Sequence, residues 1–217
     1  MVTAIAHRAP ASASRCAELV ALGVSVFEID VQAIDGVLVS SHFLPFGGPG
    51  WLRRDRWSFT VRRRAAREIA LARAVAMIPQ PARVLLDLKT DVGDAAVELV
   101  DRLAAADGLD PARCLVSTKG WHTLDALRGH GYRTWRTVAD PTALATVLAG
   151  PPVPDAAVTV RHQLLTAEVV ADLHAAGTPV MTWTVNEPAR AEALLGFGVD
   201  GITSDSVEVL RRVASGS

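Results

Sequence analysis

Glu28 and Asp30 stand two residues apart in the run Val26-Phe27-Glu28-Ile29-Asp30-Val31, whose other members are strand formers. Side chains at i and i+2 of a strand share a face, so the two carboxylates aim into one small volume. Like charges that close repel strongly at reduced dielectric unless a cation separates them, and paired carboxylate oxygens are what hard divalent ions use. Asp35-Gly36 signals a tight turn, after which a second short strand returns to His42 and brings an imidazole near the acids. A third acid, Asp87, belongs to the apolar run Arg83-Val84-Leu85-Leu86-Asp87-Leu88-Lys89. Glu28, Asp30 and Asp87 together would hold one hard cation, most simply Mg²⁺, with Ca²⁺ or Mn²⁺ as alternatives. Asp87 also lies i, i+2 from Lys89, so a structural ion pair competes for it.

His7 and His42 flank these acids from different strands, a pairing suited to general base and general acid near neutral pH. Arg8 and Lys89 offer positive charge for an anionic group, Arg8 with bidentate geometry. A cation, two imidazoles and two fixed positive charges describe a phosphoryl site. His122, His130 and His174 fall in helical or turn patterns and read as surface residues.

Short apolar strands alternating with helical patterns must position these groups. Strands are predicted over 3–7, 26–31, 83–89, 114–117, 133–138, 156–160, 179–185 and 201–204, with a returning strand that ends at residue 42. Helices are predicted over 14–22, 59–77, 92–106, 122–128, 141–149, 166–176, 188–195 and 207–213. A Pro/Gly/Trp-rich loop is expected over 44–57; its Leu44, Phe46, Trp51 and Trp57 suit a leaving-group pocket or a hydrophobic cover equally well. Eight strand–helix repeats imply a parallel sheet, and eight is the number that closes into a short, single-domain TIM (β/α)8 barrel. An open doubly wound sheet is the alternative. The barrel requires functional groups at the C-terminal strand ends. His7 and Arg8, Glu28 and Asp30, Asp87 and Lys89, Ser117 and Lys119, Arg161 and His162, and Trp183 and Asn186 all fall there.

The chain has 217 residues with no linker or composition shift, so residues 1–217 read as one domain. Its net charge of −1 gives no electrostatic preference for nucleic acid or an anionic membrane. The arginine run at Arg53, Arg54, Arg56 and Arg62 to Arg64 reads as a solvated helix face or as a basic rim beside an anionic substrate. Cys16 and Cys114 are too few and isolated for a disulfide framework or a zinc site. No apolar stretch reaches membrane-spanning length and no signal-peptide pattern is visible, so a cytoplasmic protein without stable membrane insertion is expected.

Over nearly its whole length the chain resembles the glycerophosphodiester phosphodiesterase family. The resemblance rests on His7-Arg8 at the family's H-R-G, on Glu28-Ile29-Asp30-Val31 with Asp35-Gly36 at its E-x-D-V and D-G, and on His42 at its H-D. It continues through Asp87-Leu88-Lys89 at the E-x-K position, Trp183-Thr184-Val185-Asn186, and Gly198 to Asp205 (G-V-D-G-I-T-S-D). It implies a TIM barrel and a phosphoric diester hydrolase of lipid metabolism, cleaving small-molecule glycerophosphodiesters to glycerol phosphate and an alcohol. By resemblance His7 and His42 are the acid/base pair, and Glu28, Asp30 and Asp87 the metal ligands. Arg8 and Lys89 become phosphate contacts and Trp183 a pocket wall.

Four departures stand out: Ala9 replaces the family's glycine, Ala11 to Arg15 lacks its E-N-T segment, Phe43 replaces the acid after the second histidine, and Asp87 replaces a glutamate. Several lean towards the sphingomyelinase D-like phospholipases, which share a D-L-K-T matching Asp87 to Thr90 and release a cyclic phosphate. Ala9 and Phe43 also motivate a barrel that binds phosphate or metal without turnover. A barrel enzyme of sugar or carbonyl chemistry would leave His7-Arg8 and His42 unexplained.

Overall fold

In the computed structural model, residues 2–8, 12–34, 37–40, 44–46, 50–55, 58–63, 69–89, 93–105, 109–151 and 157–216 are described. The first half carries β1 (Thr3–Ala6), α1 (Ala13–Ala21), β2 (Val26–Ile34), β3 (Val37–Ser40), β4 (Leu44–Phe46), β5 (Gly50–Asp55), β6 (Ser58–Arg63) and β7 (Ile69–Ala70). It continues with α2 (Leu71–Ala76), β8 (Arg83–Leu88), α3 (Gly93–Ala105) and β9 (Cys114–Thr118). Then follow α4 (Leu124–Gly129), β10 (Arg133–Val138), α5 (Pro141–Ala149) and β11 (Ala157–Arg161). The chain finishes with α6 (Ala167–Ala175), β12 (Val180–Trp183), α7 (Pro188–Phe197), β13 (Gly201–Ser204) and α8 (Val207–Ser215).

Eight of these strands pair in parallel in the order β1, β2, β8, β9, β10, β11, β12, β13, and β13 pairs back onto β1 with Ala6 opposite Ser204. The ring is closed: this is a TIM barrel, as the strand count requires. Parallel barrel strands are covered on both faces, which is why these segments are mostly apolar. One set of side chains (Ile5, Val26, Leu85, Leu115, Trp135, Ala157 and Met181) turns inward and fills the barrel floor. The alternate set, among them Phe27, Ile29, Leu86, Val116 and Val160, packs outward against the helices. A filled floor leaves the polar residues at the strands' C-terminal ends as the lining of an open mouth.

Local chemistry sets the helix starts. Ser12, Asp140, Thr166 and Ser206 each accept a hydrogen bond from the backbone N–H three residues on, at 3.0 to 3.4 Å. At the turn from α1 into β2, Gly23 has φ +94°, and a Cβ there would lie 2.8 Å from the Ala214 Cβ of α8. Gly23→Ala therefore combines left-handed strain with a clash, and should destabilise the fold by about 1–3 kcal/mol. A thermal melt checks this; about 2–4 °C is expected per kcal/mol for a chain of this size.

Two expectations fail between β2 and β8. Among the described residues of the predicted helix over 59–77, β6, β7 and the short α2 stand in its place; residues 64–68 lie outside them. The arginine-rich stretch has helix-forming composition, but Ser58, Thr60 and Val61 suit an extended chain, and β6 pairs antiparallel with β5 from Gly50 to Arg63. Arg53, Arg54, Arg62 and Arg63 of the arginine run thus belong to strands and not to a helix face, while Arg56 and Arg64 lie outside the described residues. The expected loop over 44–57 likewise holds β4 and β5, which form a three-stranded antiparallel sheet with β6. The hairpin of β2 and β3 is present as predicted, with Ile34 opposite Val37. Cys16 and Cys114 are both free and buried. Among the described residues no helix is long and apolar enough to cross a membrane.

Candidate active site

Strand alternation on β2 places Glu28 and Asp30 on the inward face, and the parallel register sets Asp30 beside Asp87 of β8. One carboxylate oxygen from each of Glu28, Asp30 and Asp87 lies within 4.8 Å of the others. Metal–oxygen bonds of about 2.0–2.6 Å separate ligand oxygens by up to about 4–5 Å, so this spacing fits a hard divalent ion. The donor set is all oxygen and anionic, which is the chemistry such an ion selects. Glu28 and Asp30 are buried, and burial together with the Asp30 charge raises the Glu28 carboxyl well above its usual range. Three acids so placed call for positive charge.

Part of that charge comes from the protein. The Lys89 ammonium lies 2.6 Å from Asp30 Oδ1 and also donates to Asp87 Oδ2. Burial works against its charge, but Asp87, Asp30 and Glu28 outweigh it and raise its pKa. Both alternatives for Asp87 are therefore realised at once: it pairs with Lys89 and it belongs to the acid cluster, where Ser117 Oγ also donates to its Oδ1 at 2.9 Å. Arg8 sits in the left-handed region at φ +52°, its backbone N–H donates to Glu28 Oε2 at 2.7 Å, and its Nε lies 3.5 Å from Asp30 Oδ2. The guanidinium thus faces the acid cluster from the next strand end.

His7 follows β1 and stands between two acids. Its Nδ1 is 2.8 Å from Asp205 Oδ1 and its Nε2 is 3.9 Å from Glu28 Oε2. A carboxylate accepts, so Nδ1 carries the proton and Nε2 turns a lone pair toward the cluster. Burial lowers the His7 pKa, with the Asp205 charge opposing and the Arg8 charge assisting. The ring is consequently biased to the neutral form. Asp205 is itself braced: Asn186 Nδ2 donates to its Oδ2 at 3.1 Å, while Asn186 Oδ1 accepts from the Asp205 backbone N–H at 2.9 Å and from Ser204 Oγ at 3.1 Å.

Asn186 and Asp205 belong to motifs visible in the sequence, which assign neither of them this task. The signal was available in the closure of the barrel. If the last strand pairs with the first, the residue after Ser204 must neighbour the residue after Ala6.

Trp183 ends β12 half-buried, its indole N–H donating to the Thr159 carbonyl at 3.1 Å, so the ring is fixed at the mouth. His42 lies outside the described residues, as do Ala9, Phe43, Thr90 and Trp57. His122 and His130 are exposed and His174 pairs at 2.8 Å with Asp200, away from the acids. His162 is held by Arg190, whose Nε lies 3.3 Å from its Nδ1; burial and that guanidinium lower its pKa.

Comparison with known proteins bears on the family and the fold. Residues 74–209 match the model of the glycerophosphoryl diester phosphodiesterase family. A curated relative from Mycobacterium tuberculosis, described as probable glycerophosphodiester phosphodiesterase 2, is 36% identical over 95 residues, which are 43% of this chain and 31% of that protein. The match thus spans about a third of the relative's length. Among solved structures, the glycerophosphodiester phosphodiesterase of Thermotoga maritima superposes with a TM-score of 0.67 at 16% identity, over 98% of this chain and 99% of its own. An Oleispira antarctica phosphodiesterase, solved with the product sn-glycerol-3-phosphate, gives 0.65 at 19% identity over 99% and 97%. At such identities the structures speak for the fold, and the family match over more than half of the chain speaks for descent: the chain belongs to the glycerophosphoryl diester phosphodiesterase family.

Proposed function

We propose that the chain is a metal-dependent phosphodiesterase that cleaves glycerophosphodiesters to glycerol phosphate and an alcohol by acid–base catalysis at His7 and His42. The observation that carries this reading is the meeting, at one mouth of the barrel, of the Glu28–Asp30–Asp87 oxygens with the Nε2 of His7. The product bound to the Oleispira antarctica phosphodiesterase supports the substrate class. Glu28, Asp30 and Asp87 would hold one divalent cation, Mg²⁺ being the simplest choice for an all-oxygen set. When bound, that cation polarises the phosphoryl group and offsets charge built up in the transition state.

The protein's own groups do the rest. Arg8 and Lys89 neutralise the non-bridging oxygens, exchanging their present carboxylate partners for the substrate. One histidine takes a proton from the attacking water as its oxygen bonds to phosphorus. The other gives a proton to the alkoxide as the ester P–O bond breaks, so the net change is hydrolysis with no proton left over. Asp205, steadied by Asn186, keeps the Nδ1 of His7 protonated and so reserves Nε2 for transfer. Trp183 walls the pocket on the side of β12.

The test is ³¹P NMR of the purified protein with glycerophosphodiesters and Mg²⁺, with and without chelator. A chelator-sensitive monoester signal is expected. Asp87 in Asp87-Leu88-Lys89-Thr90 and the short first connection also suit the branch in which a substrate hydroxyl attacks in place of water. A persistent cyclic-phosphate signal would move the protein there, and metal binding with no turnover would leave a binding barrel.

A further inference from the structure

The acid cluster of the barrel mouth, with Arg8 and Lys89 beside it, lies on one arc; on the other, Asp140 after β10 is engaged in capping α5. The acids Glu28, Asp30, Asp87 and Asp205 occupy the arc from β13 through β1 and β2 to β8. The opposite arc carries Lys119, just past β9, and Arg161, the last residue of β11. Period-two alternation from the floor residues Leu115 and Ala157 puts both positions on the inward face of the barrel. Both side chains are exposed, and neither forms an ion pair with a carboxylate among the described residues; the Arg161 Nε donates only to the Gln163 amide oxygen, at 3.1 Å.

Between them runs β10, whose inward residue at this height is Thr137. Thr137 pairs with Thr159 of β11, and it lies one step beyond the Arg136–Thr118 pair, which sets it level with Lys119. Thr137 is only 7% exposed, and its hydroxyl oxygen is buried without a hydrogen-bond partner. A buried hydroxyl left unpaired costs free energy, which a ligand group reaching it would recover. Cationic side chains at the ends of β9 and β11, two strands apart, with the Thr137 hydroxyl on the strand between them, can receive one more anion. The reacting phosphate needs no such help, because Arg8 and Lys89 already stand beside the acids.

We infer that Lys119, Thr137 and Arg161 form a specificity subsite that favours phosphodiesters whose alcohol carries its own anionic group, such as a carboxylate. This rests on the phosphodiesterase reading above. The subsite binds the leaving group and takes no part in bond breaking. Its effect therefore falls on substrate choice.

The experiment compares glycerophosphoserine with glycerophosphoethanolamine, which differ by one carboxylate. The native protein should turn over the serine diester with the higher kcat/KM. Lys119→Ala and Arg161→Ala should each lower that value by about fivefold, the worth of one exposed charge pair, and leave the ethanolamine diester within about twofold. Thr137→Val, which keeps the shape and removes the hydroxyl, should shift the ratio in the same direction. Equal loss on both substrates, or no loss on either, overturns the inference. If the native protein cleaves neither diester, the phosphodiesterase reading fails by itself. The subsite is then decided by calorimetric titration with O-phosphoserine and O-phosphoethanolamine: tighter binding of the former that is lost in both cation variants upholds it, and equal affinity overturns it.

Discussion

His7→Ala should lower kcat by about 10²–10⁴-fold, the range a positioned general acid or base supplies, while leaving the fold intact. The side chain is a good candidate for a clean deletion. Its polar contacts are to Asp205 and Glu28 at the mouth, and it contributes nothing to the apolar floor. His42→Ala should have an effect of similar size, since a two-histidine mechanism fails when either proton transfer is lost. Asp205→Asn separates orientation from chemistry. An amide can present its N–H₂ to Nδ1, which would move the ring proton to Nε2 and block acceptance there. A loss of roughly 10–100-fold or more is expected, the lower end being the scale of changing a hydrogen-bonded partner at a metal site and the upper end, about 10⁴, that of holding a catalytic imidazole in the wrong tautomer. Initial rates on a glycerophosphodiester, with circular dichroism to confirm folding, check all three. Activity of His7→Ala within tenfold of the native protein would sink the mechanism.

The second large effect concerns the cation. Chelation should abolish turnover, and added Mg²⁺ should restore it. Glu28→Gln should remove that response without unfolding the protein, because the amide oxygen can still accept from the Arg8 backbone N–H that now donates to Glu28 at 2.7 Å. The variant also relieves crowding: one negative charge leaves a cluster in which three carboxylate oxygens lie within 4.8 Å of one another. Its thermal midpoint without metal should equal or exceed that of the native protein. A ligand that binds only the folded state stabilises it by about 2.7 kcal/mol at a hundred times its Kd. The native midpoint should therefore rise with Mg²⁺ and that of Glu28→Gln should stay put. Equal rises in both would remove Glu28 from the ligand set.

The stretch from β2 to β8 shows where sequence reading was weakest. Residues 59–77 have the alanine and arginine content of a helix, and local propensity pointed that way. The outcome was set by strand pairing, with Asp55 opposite Ser58 and Gly50 opposite Arg63. Such pairing depends on the partner strand, which no window over 59–77 contains. The barrel strands, by contrast, were legible, because burial on both faces forces apolar runs and the interruptions mark the strand ends.

Sequence alone determined the eight strands of the barrel, the alternation that turns Glu28 and Asp30 inward together, and the arrival of Asp87, His7 and Arg8 at strand ends. Each of these follows from spacing within one strand or from the period of the repeat. What the tertiary structure decided are the relations that cross the closure. His7 and Asp205 are 198 residues apart and meet at 2.8 Å because β13 pairs with β1. Lys89 reaches both Asp87 on its own strand and Asp30 on the neighbouring one. Lys119, Thr137 and Arg161 come to one arc of the mouth because β10 pairs with β9 on one side and with β11 on the other. Contacts of this kind depend on which strand lies beside which and in what register, and those are settled only when the whole ring of hydrogen bonds closes.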